Sequence, residues 1–160
     1  MGMKPCKMLD VGQLSSLLKT SEVFSDLDEQ NIENLHTMLE YYEAEAGDCV
    51  RQVGEESSSL YIIASGNVQL RDPVRRVTVG RLSAGKAFGL LSVLFPGVSY
   101  IEAYAESSAT FVVLDEGSLR MLEVSNPQLA IYVLRSIRRS LNGVIGAVIP
   151  VLARLCTESE

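Results

Sequence analysis

The spacing of apolar positions changes twice along this chain. Residues 9–18 and 28–39 carry apolar side chains at helical spacing, with Ile32, Leu35 and Leu39 on one face of the second segment. From residue 42 the period becomes that of strands, and after residue 115 the helical period returns. The pattern therefore predicts N-terminal helices within 1–41, a strand-rich unit at 42–115 and C-terminal helices within 116–160, all in one domain.

The middle part has a turn signal after almost every short apolar run, at Gly47, Gly54, Gly66 and Gly85. Many short strands at even spacing are typical of a closed roll or sandwich. Residues 100–105 alternate strictly, which predicts a strand with Ile101, Ala103 and Ala105 on one face. The fold class is therefore predicted to be α+β.

Cap residues mark the predicted helix starts. Asp28 suits the N-cap of the second helix, Asp115 that of a short helix after the strands, and Asn126 followed by Pro127 that of the last helix. The last helix should run well beyond residue 140, and Pro150 is expected to kink or end it.

That helix has too many apolar residues for one face, with Leu134, Leu141, Val148 and Leu155 at seven-residue steps. One side can cover the roll while the other pairs with the same helix of a second chain, which predicts a homodimer. The alternative is a helix buried wholly against its own domain.

Composition and charge exclude several classes. The 160 residues are 47% hydrophobic, as in a globular protein, and the net charge of -6 is concentrated in the first third, which disfavours a nucleic-acid partner. Cys6, Cys49 and Cys156 lie too far apart for a disulfide framework, which predicts a cytoplasmic protein. The uncharged run at 140–153 is too short to span a membrane, so no membrane role is expected.

The sequence offers little for catalysis. His36 is the only histidine and lies in an acidic helix, so neither a metal centre nor a Ser-His-Asp set can be assembled. We therefore expect no enzyme activity and no metal.

Several short motifs occur in a specific order along residues 17–141. They are Phe24-Ser25-Asp26-Leu27, Gly47-Asp48, Gly54-Glu55, the run at 60–68, Gly85-Lys86-Ala87-Phe88-Gly89 and Asn126-Pro127. In this order the chain resembles the cyclic-nucleotide-binding domains of the catabolite activator protein family and of the regulatory subunits of cAMP-dependent protein kinase. The resemblance implies a double-stranded β-helix, or jelly roll, with N-terminal helices, a long C-terminal helix and a phosphate cassette that opens at Phe88-Gly89.

The cassette departs from the family pattern. The family has a Glu after this Phe-Gly for the ribose and an Arg further on for the cyclic phosphate, where this sequence has Leu90 and Ser99. Where the activator family has small hydroxyl residues in its terminal helix, this sequence has Val144 and Ile145. High-affinity binding of cAMP or cGMP is therefore not expected, because a buried phosphate would lack its charge-assisted hydrogen bonds.

Two hypotheses remain for the pocket, whose candidate residues are Phe88, Gly89, Leu90, Leu91, Ser92, Ser99, Tyr100, Val144 and Ile145. In the first, Leu90 and Val144 fill the space of the ligand, and the chain is a regulatory module that acts through a homodimer or another protein partner. In the second, the cavity binds a cyclic nucleotide or a different small anion, with hydroxyls from Ser92, Ser99 and Tyr100. The few residues after Pro150 cannot form a DNA-binding winged helix-turn-helix, so DNA binding by this chain is not expected.

Overall fold

A computed structural model describes residues 2–99 and 101–157. The chain begins with strand β1 (Lys4–Pro5), helix α1 (Val11–Thr20) and helix α2 (Glu29–His36). Both helices start at an aspartate: Asp10 Oδ1 accepts the backbone N–H of Gln13 at 2.7 Å, and Asp28 Oδ1 accepts that of Asn31 at 2.8 Å. The prediction that Asp28 caps the second helix is confirmed.

The middle of the chain forms antiparallel sheets that are interrupted by one short helix. The elements are β2 (Glu40–Ala44), β3 (Cys49–Arg51), β4 (Glu56–Ser57), β5 (Ser59–Ser65), β6 (Asn67–Asp72), β7 (Val77–Ser83), β8 (Ala87–Phe88), α3 (Leu90–Leu94), β9 (Gly97–Val98), β10 (Glu102–Ala105) and β11 (Ala109–Asp115). One sheet has the order β1-β2-β11-β5-β8, a second has β3-β10-β6-β7, and β4 pairs with β9. The α+β jelly roll is thus as predicted.

Alternate residues of the five-stranded sheet enter two different cores, because successive side chains of a strand point to opposite faces. Phe111 and Val113 of β11 lie in a cluster inside the roll, together with Val68 and Ala103 of the other sheet. Val112 and Leu114 lie in a second cluster with the helices. The five-stranded sheet therefore separates the interior of the roll from the helical layer.

The chain ends in α4 (Glu116–Ser125) and α5 (Pro127–Thr157). Asp115 Oδ1 accepts the N–H of Ser118 at 2.6 Å, and Asn126 Oδ1 accepts that of Leu129 at 3.2 Å, so both predicted caps form. Leu129, Val133 and Ile137 of α5 are buried in the helical cluster. Within the described residues, no helix is both long and apolar enough to cross a lipid bilayer.

Two details differ from the sequence prediction. Pro150 was expected to kink or end α5, and of these two outcomes it does not end the helix, which continues to Thr157. Strand β10 begins at Glu102, so Ile101 lies before it and is 42% exposed, whereas Ala103 and Ala105 are buried as predicted. The sequence pattern therefore placed the start of this strand two residues too early, at residue 100 instead of Glu102.

Candidate ligand-binding site

The turn from β8 into α3 is built around Gly89. Its φ of +83° lies in the left-handed region, and a Cβ placed there would lie 2.2 Å from the carbonyl oxygen of Ser59. The cassette backbone is therefore pressed against the start of β5, which only glycine permits. This close approach explains why Phe88-Gly89 stands at this point in the sequence.

The first side chains of α3 point in different directions. Leu90 is 8% exposed and belongs to the cluster between the five-stranded sheet and the helices, not to the cluster inside the roll. Leu91 is 58% exposed, and Ser92 is half-buried. The hypothesis that Leu90 fills the ligand space does not fit this packing, because its side chain lies among the helices.

Ser99 is buried, and its polar groups bond within the protein. Its hydroxyl donates to the carbonyl oxygen of Ile101 at 2.8 Å. Its backbone N–H donates to the carbonyl of Glu55 at 3.1 Å, and its own carbonyl accepts the N–H of Gly54 at 3.0 Å. The single hydroxyl proton of Ser99 is thus already used by the fold.

The remaining candidates lie outside what the structure describes. Tyr100 is outside the described residues. Val144 and Ile145 belong to α5, but their side chains are not among those described. Their predicted place against a ligand stays a prediction.

A cation that the sequence analysis did not single out lies beside Gly89. Arg51, on β3, donates from Nη2 to the carbonyl oxygen of Ser59 at 3.1 Å. A Cβ on Gly89 would lie 2.8 Å from this Nη2. The guanidinium thus reaches from the four-stranded sheet to Ser59, the first residue of β5 in the five-stranded sheet, next to the cassette.

Two aromatic rings hold the Arg51 guanidinium. Its Cζ lies 5.3 Å from the ring centroid of Tyr61 and 5.5 Å from that of Phe88. These rings stack on each other with centroids 4.8 Å apart and planes 3° from parallel, and Phe111 meets both edge-on. Cation–π contacts of this kind favour a guanidinium that has lost part of its hydration.

Burial dominates the electrostatics here. Desolvation lowers the pKa of Arg51 from its usual value, with the nearby Tyr61 opposing the change. Burial likewise raises the pKa of Tyr61, which Arg51 partly offsets. Within residues 2–99 and 101–157, no carboxylate forms an ion pair with Arg51.

A cavity of about 680 Å³ opens at one end of the roll, a size suited to a small organic ligand. Its walls are Gly2, Met3, Glu40, Tyr42, Cys49, Val50, Gln52, Glu55, Ser58, Ser59, Tyr61, Val113 and Asp115. Two of these, Ser59 and Tyr61, also contact Arg51. The cavity therefore approaches Arg51 along β5.

The three carboxylates of this cavity already have partners. Glu40 accepts the hydroxyl of Tyr42 at 2.5 Å, and Glu55 accepts the backbone N–H of Gln52 at 3.2 Å. Asp115 caps α4. Across the described part of the chain, no group of three or more His, Cys, Asp or Glu side chains is placed to hold a metal ion.

The fold and the cassette turn together define a class of protein, and comparison with known sequences agrees with that class. The family described as Cyclic nucleotide-binding domain matches residues 42–126, from the start of the roll to the cap of α5. The chain belongs to this family.

The relatives include a candidate potassium channel protein of Rhodopseudomonas palustris, 30% identical over 135 residues that cover 82% of this chain and 31% of the channel protein. The chain thus spans about a third of the length of that relative. A crystal structure of a cyclic nucleotide-binding domain from Methylobacillus flagellatus superposes with a TM-score of 0.81 at 18% identity, covering 95% of this chain and 89% of that chain.

A second similar structure is the regulatory subunit of a cAMP-independent protein kinase A from Trypanosoma brucei, a triple mutant bound to cAMP in the A site. It has a TM-score of 0.66 at 24% identity, and the match covers 81% of this chain and 46% of that chain. At these identities both structures establish the shared fold.

Proposed function

We propose that this chain is a non-catalytic regulatory module that does not bind cAMP or cGMP with high affinity and that acts on another protein chain. One observation carries the proposal: the two cassette positions that hold charges in the family are built into this fold. Leu90 packs among the helices, and the hydroxyl of Ser99 is bonded to Ile101. Neither can supply a carboxylate for a ribose or a cation for a phosphate.

The magnitude of this loss decides the affinity. A hydrogen bond to a charged group contributes roughly 1.5–3 kcal/mol, so two such losses weaken binding by roughly 10²- to 10⁴-fold. A nucleotide that would bind the family pattern at micromolar concentration would need millimolar concentration here. Signalling cyclic nucleotides would then leave this chain largely unoccupied.

Titration calorimetry with cAMP and cGMP tests the proposal on the wild-type chain and on Ser99→Arg. The kinase relative supports this variant, since one of the three substitutions in the cAMP-bound mutant introduces an arginine. We expect no saturable heat from wild type at tens of micromolar ligand and measurable cAMP binding by Ser99→Arg. The matched control Ser99→Ala, which removes the hydroxyl without adding charge, should stay silent.

Saturable uptake of either nucleotide by wild type, with a dissociation constant of about 1 μM or less, would contradict the proposal. Circular dichroism of each variant establishes that it is folded before the titration. A folded Ser99→Arg that gains no affinity would show that the cassette cation is not what limits binding.

The output of the module is proposed to pass through α5, either in a homodimer or to another protein partner in the cytoplasm. Ile131 and Tyr132 support this, since they are 47% and 49% exposed on the first half of α5. Leu134 and Leu141 of the predicted stripe are half-buried against the helical core of their own chain. The contact face would therefore be centred on Ile131 and Tyr132.

A second candidate function is the sensing of a small ligand other than a cyclic nucleotide. The cavity of about 680 Å³ at the end of the roll favours it, because this cavity has room for a small organic ligand and its walls include none of the cassette residues 88–92.

A further inference from the structure

We infer that the free edge of strand β7 is a docking site for an extended segment of another protein, in which apolar and acidic residues alternate. The segment would pair with β7 as an added strand of the four-stranded sheet. Recognition of this kind takes its affinity from backbone hydrogen bonds and its specificity from alternate side chains. The surface is separate from α5, so the inference goes beyond the function proposed above.

Strand β7 is the long edge strand of the roll. It ends the sheet β3-β10-β6-β7 and has seven residues, whereas the other edge strands of the two large sheets, β1, β3 and β8, have two or three. In the described part of the chain, residues 77–82 make backbone hydrogen bonds to no element besides β6. Because an antiparallel strand directs alternate N–H and C=O groups to opposite sides, part of these groups point away from β6 and are free to pair.

The two faces of β7 differ in chemistry. Gln69 lies on the outer face of the sheet, since its neighbours along β6 pack inside the roll, and it donates from Nε2 to the hydroxyl of Thr78. Arg81 is the register partner of Gln69 and shares this face, because the β6–β7 ladder shifts register between Thr78 and Arg81. Val77 and Val79 flank Thr78 and therefore face inward, yet they are 48% and 53% exposed. An added strand would thus meet apolar side chains on its inner face.

The outer face and the turn before β7 are basic. Arg75 and Arg76 lie in that turn, are exposed and form no ion pair within residues 2–99 and 101–157. Arg81 pairs with Glu106 at 2.8 Å but stays largely exposed. The acid of the hairpin, Asp72, is used in the turn, where Oδ1 accepts the N–H of Arg75 at 3.1 Å. In a chain with a net charge of -6, these cations favour a partner strand with acidic residues on its outer face.

The same charges disfavour a second copy of this chain as the occupant. Two β7 edges paired with each other would bring the arginines of both copies together, and like charges across a strand pair are destabilising. A strand with acidic residues turns this repulsion into attraction. The cations therefore select between the two occupants.

The probe for this site is a fluorescein-labelled, C-amidated peptide of alternating glutamate and valine, as long as β7. Fluorescence anisotropy measures its binding to the whole chain, and the comparison peptide has lysine in place of every glutamate. We expect saturable binding of the glutamate peptide at roughly 10–100 μM and at least about 10-fold weaker binding of the lysine peptide. Amide hydrogen exchange should slow at alternate residues of 77–82 when the glutamate peptide is bound.

Two methylated peptides separate strand pairing from charge attraction. One carries N-methyl groups only on its valines and the other only on its glutamates, so both keep the charge of the unmodified peptide. Only one of the two sets of amides can face β7. One methylated peptide should therefore bind about as well as the unmodified peptide, and the other should bind at least about 10-fold more weakly.

Substitutions in the protein locate the surface. Arg75→Glu combined with Arg76→Glu should weaken binding of the glutamate peptide at least about 10-fold. Lys7→Glu combined with Arg138→Glu is the matched control, since it makes the same change in charge at exposed positions outside the β6–β7 hairpin, and it should stay within about 2-fold of wild type. Val79→Thr keeps the β-branched shape but loses apolar surface and should weaken binding at least about 2-fold.

Equal binding of the glutamate and lysine peptides, equal binding of both methylated peptides, or no saturable binding would each overturn the inference. Protection of residues 77–82 that rises with protein concentration in the absence of peptide would assign the edge to a second copy and would overturn it as well. The methylated peptides are tested on wild type, so the result does not depend on the folding of a variant. Tight cAMP uptake would contradict the proposed function without changing any of these outcomes at β7.

Discussion

Asp26 accepts a hydrogen bond from the hydroxyl of Ser136 at 3.1 Å, which fastens the segment between α1 and α2 to the middle of α5. Arg139, one turn further along α5, donates from Nη2 to the other carboxylate oxygen of Asp26 at 2.9 Å. The hydroxyl of Ser140 donates to the carbonyl of Glu22 at 2.9 Å. Polar contacts at three successive positions of one helical face thus fix how the first half of α5 lies on its own chain.

These contacts make stability depend on pH. Burial alone would raise the pKa of Asp26, but the hydrogen bonds from Arg139 and Ser136 outweigh it and hold the pKa below its usual value. A carboxyl whose pKa is lower in the folded state stabilises the fold above its unfolded pKa of about 4, and this contribution is lost as the pH falls through the folded value.

Asp26→Asn should therefore be less stable than wild type at pH 7 by about 0.5–1 kcal/mol, a modest amount because both side chains are substantially exposed. Urea unfolding at a series of pH values measures the difference, which should shrink toward zero below about pH 3. Glu29→Gln, which breaks only the exposed Lys19–Glu29 pair, is the control and should change little. A difference that persists unchanged in acid would contradict the assignment.

Gly89 should be the least replaceable glycine of the cassette region. Gly89→Ala places an alanine in the left-handed backbone region, which costs about 1–2 kcal/mol. In addition, its Cβ would lie 2.2 Å from the carbonyl oxygen of Ser59, which is a steric clash. Gly47→Ala is the matched control, since φ is +91° there but no atom lies within 4 Å of the added Cβ. We expect Gly89→Ala to lose at least about 2 kcal/mol more unfolding free energy than Gly47→Ala in urea titrations. Equal losses would show that the approach to β5 relaxes at no cost.

Most of the fold could be predicted because local signals agree with the global arrangement. The strand period with its glycine turns predicts the roll, and Asp28, Asp115 and Asn126 cap the helices that follow them. Each of these signals acts within a few residues of the chain. Such short-range signals can be recognised in a sequence without knowing what lies across the core.

The candidate site was less predictable because its contacts are long-range. Arg51 lies in a strand of three residues whose register against β10 is irregular, so the pattern could not tell that its side chain reaches Ser59 of the other sheet. The five-residue helix α3 is too short for a periodic face, and tertiary packing sends Leu90 toward the helices. The sequence shows that position 99 has a serine in place of a charged residue, but it does not show that Arg51 lies beside Gly89.

The buried hydroxyl of Tyr41 lowers the stability of the fold, and a single substitution should remove this effect. Its hydroxyl is buried with no hydrogen-bond partner in the described structure, and burial raises its pKa to about 12. Tyr41→Phe should therefore increase the unfolding free energy by up to about 1 kcal/mol, because the substitution removes an unsatisfied polar group from the core. Tyr42→Phe is the control, since it breaks the 2.5 Å hydrogen bond to Glu40 and should be neutral or destabilising. A clear loss of stability in Tyr41→Phe would reveal a partner for that hydroxyl.

The proposed dimer can be tested at the exposed face of α5. Ile131 and Tyr132 lie outside the core of their own chain, so charging them should leave the monomer folded while removing apolar area from a contact between two copies. We expect light scattering to show a dimer for wild type at tens of micromolar and a monomer for Ile131→Glu combined with Tyr132→Glu. Val74→Glu is the matched control, because Val74 is 88% exposed on the β6–β7 hairpin, far in sequence from α5. A monomeric wild type would contradict the dimer and leave a different protein as the partner of α5, whereas loss of the dimer in Val74→Glu would move the contact to the hairpin.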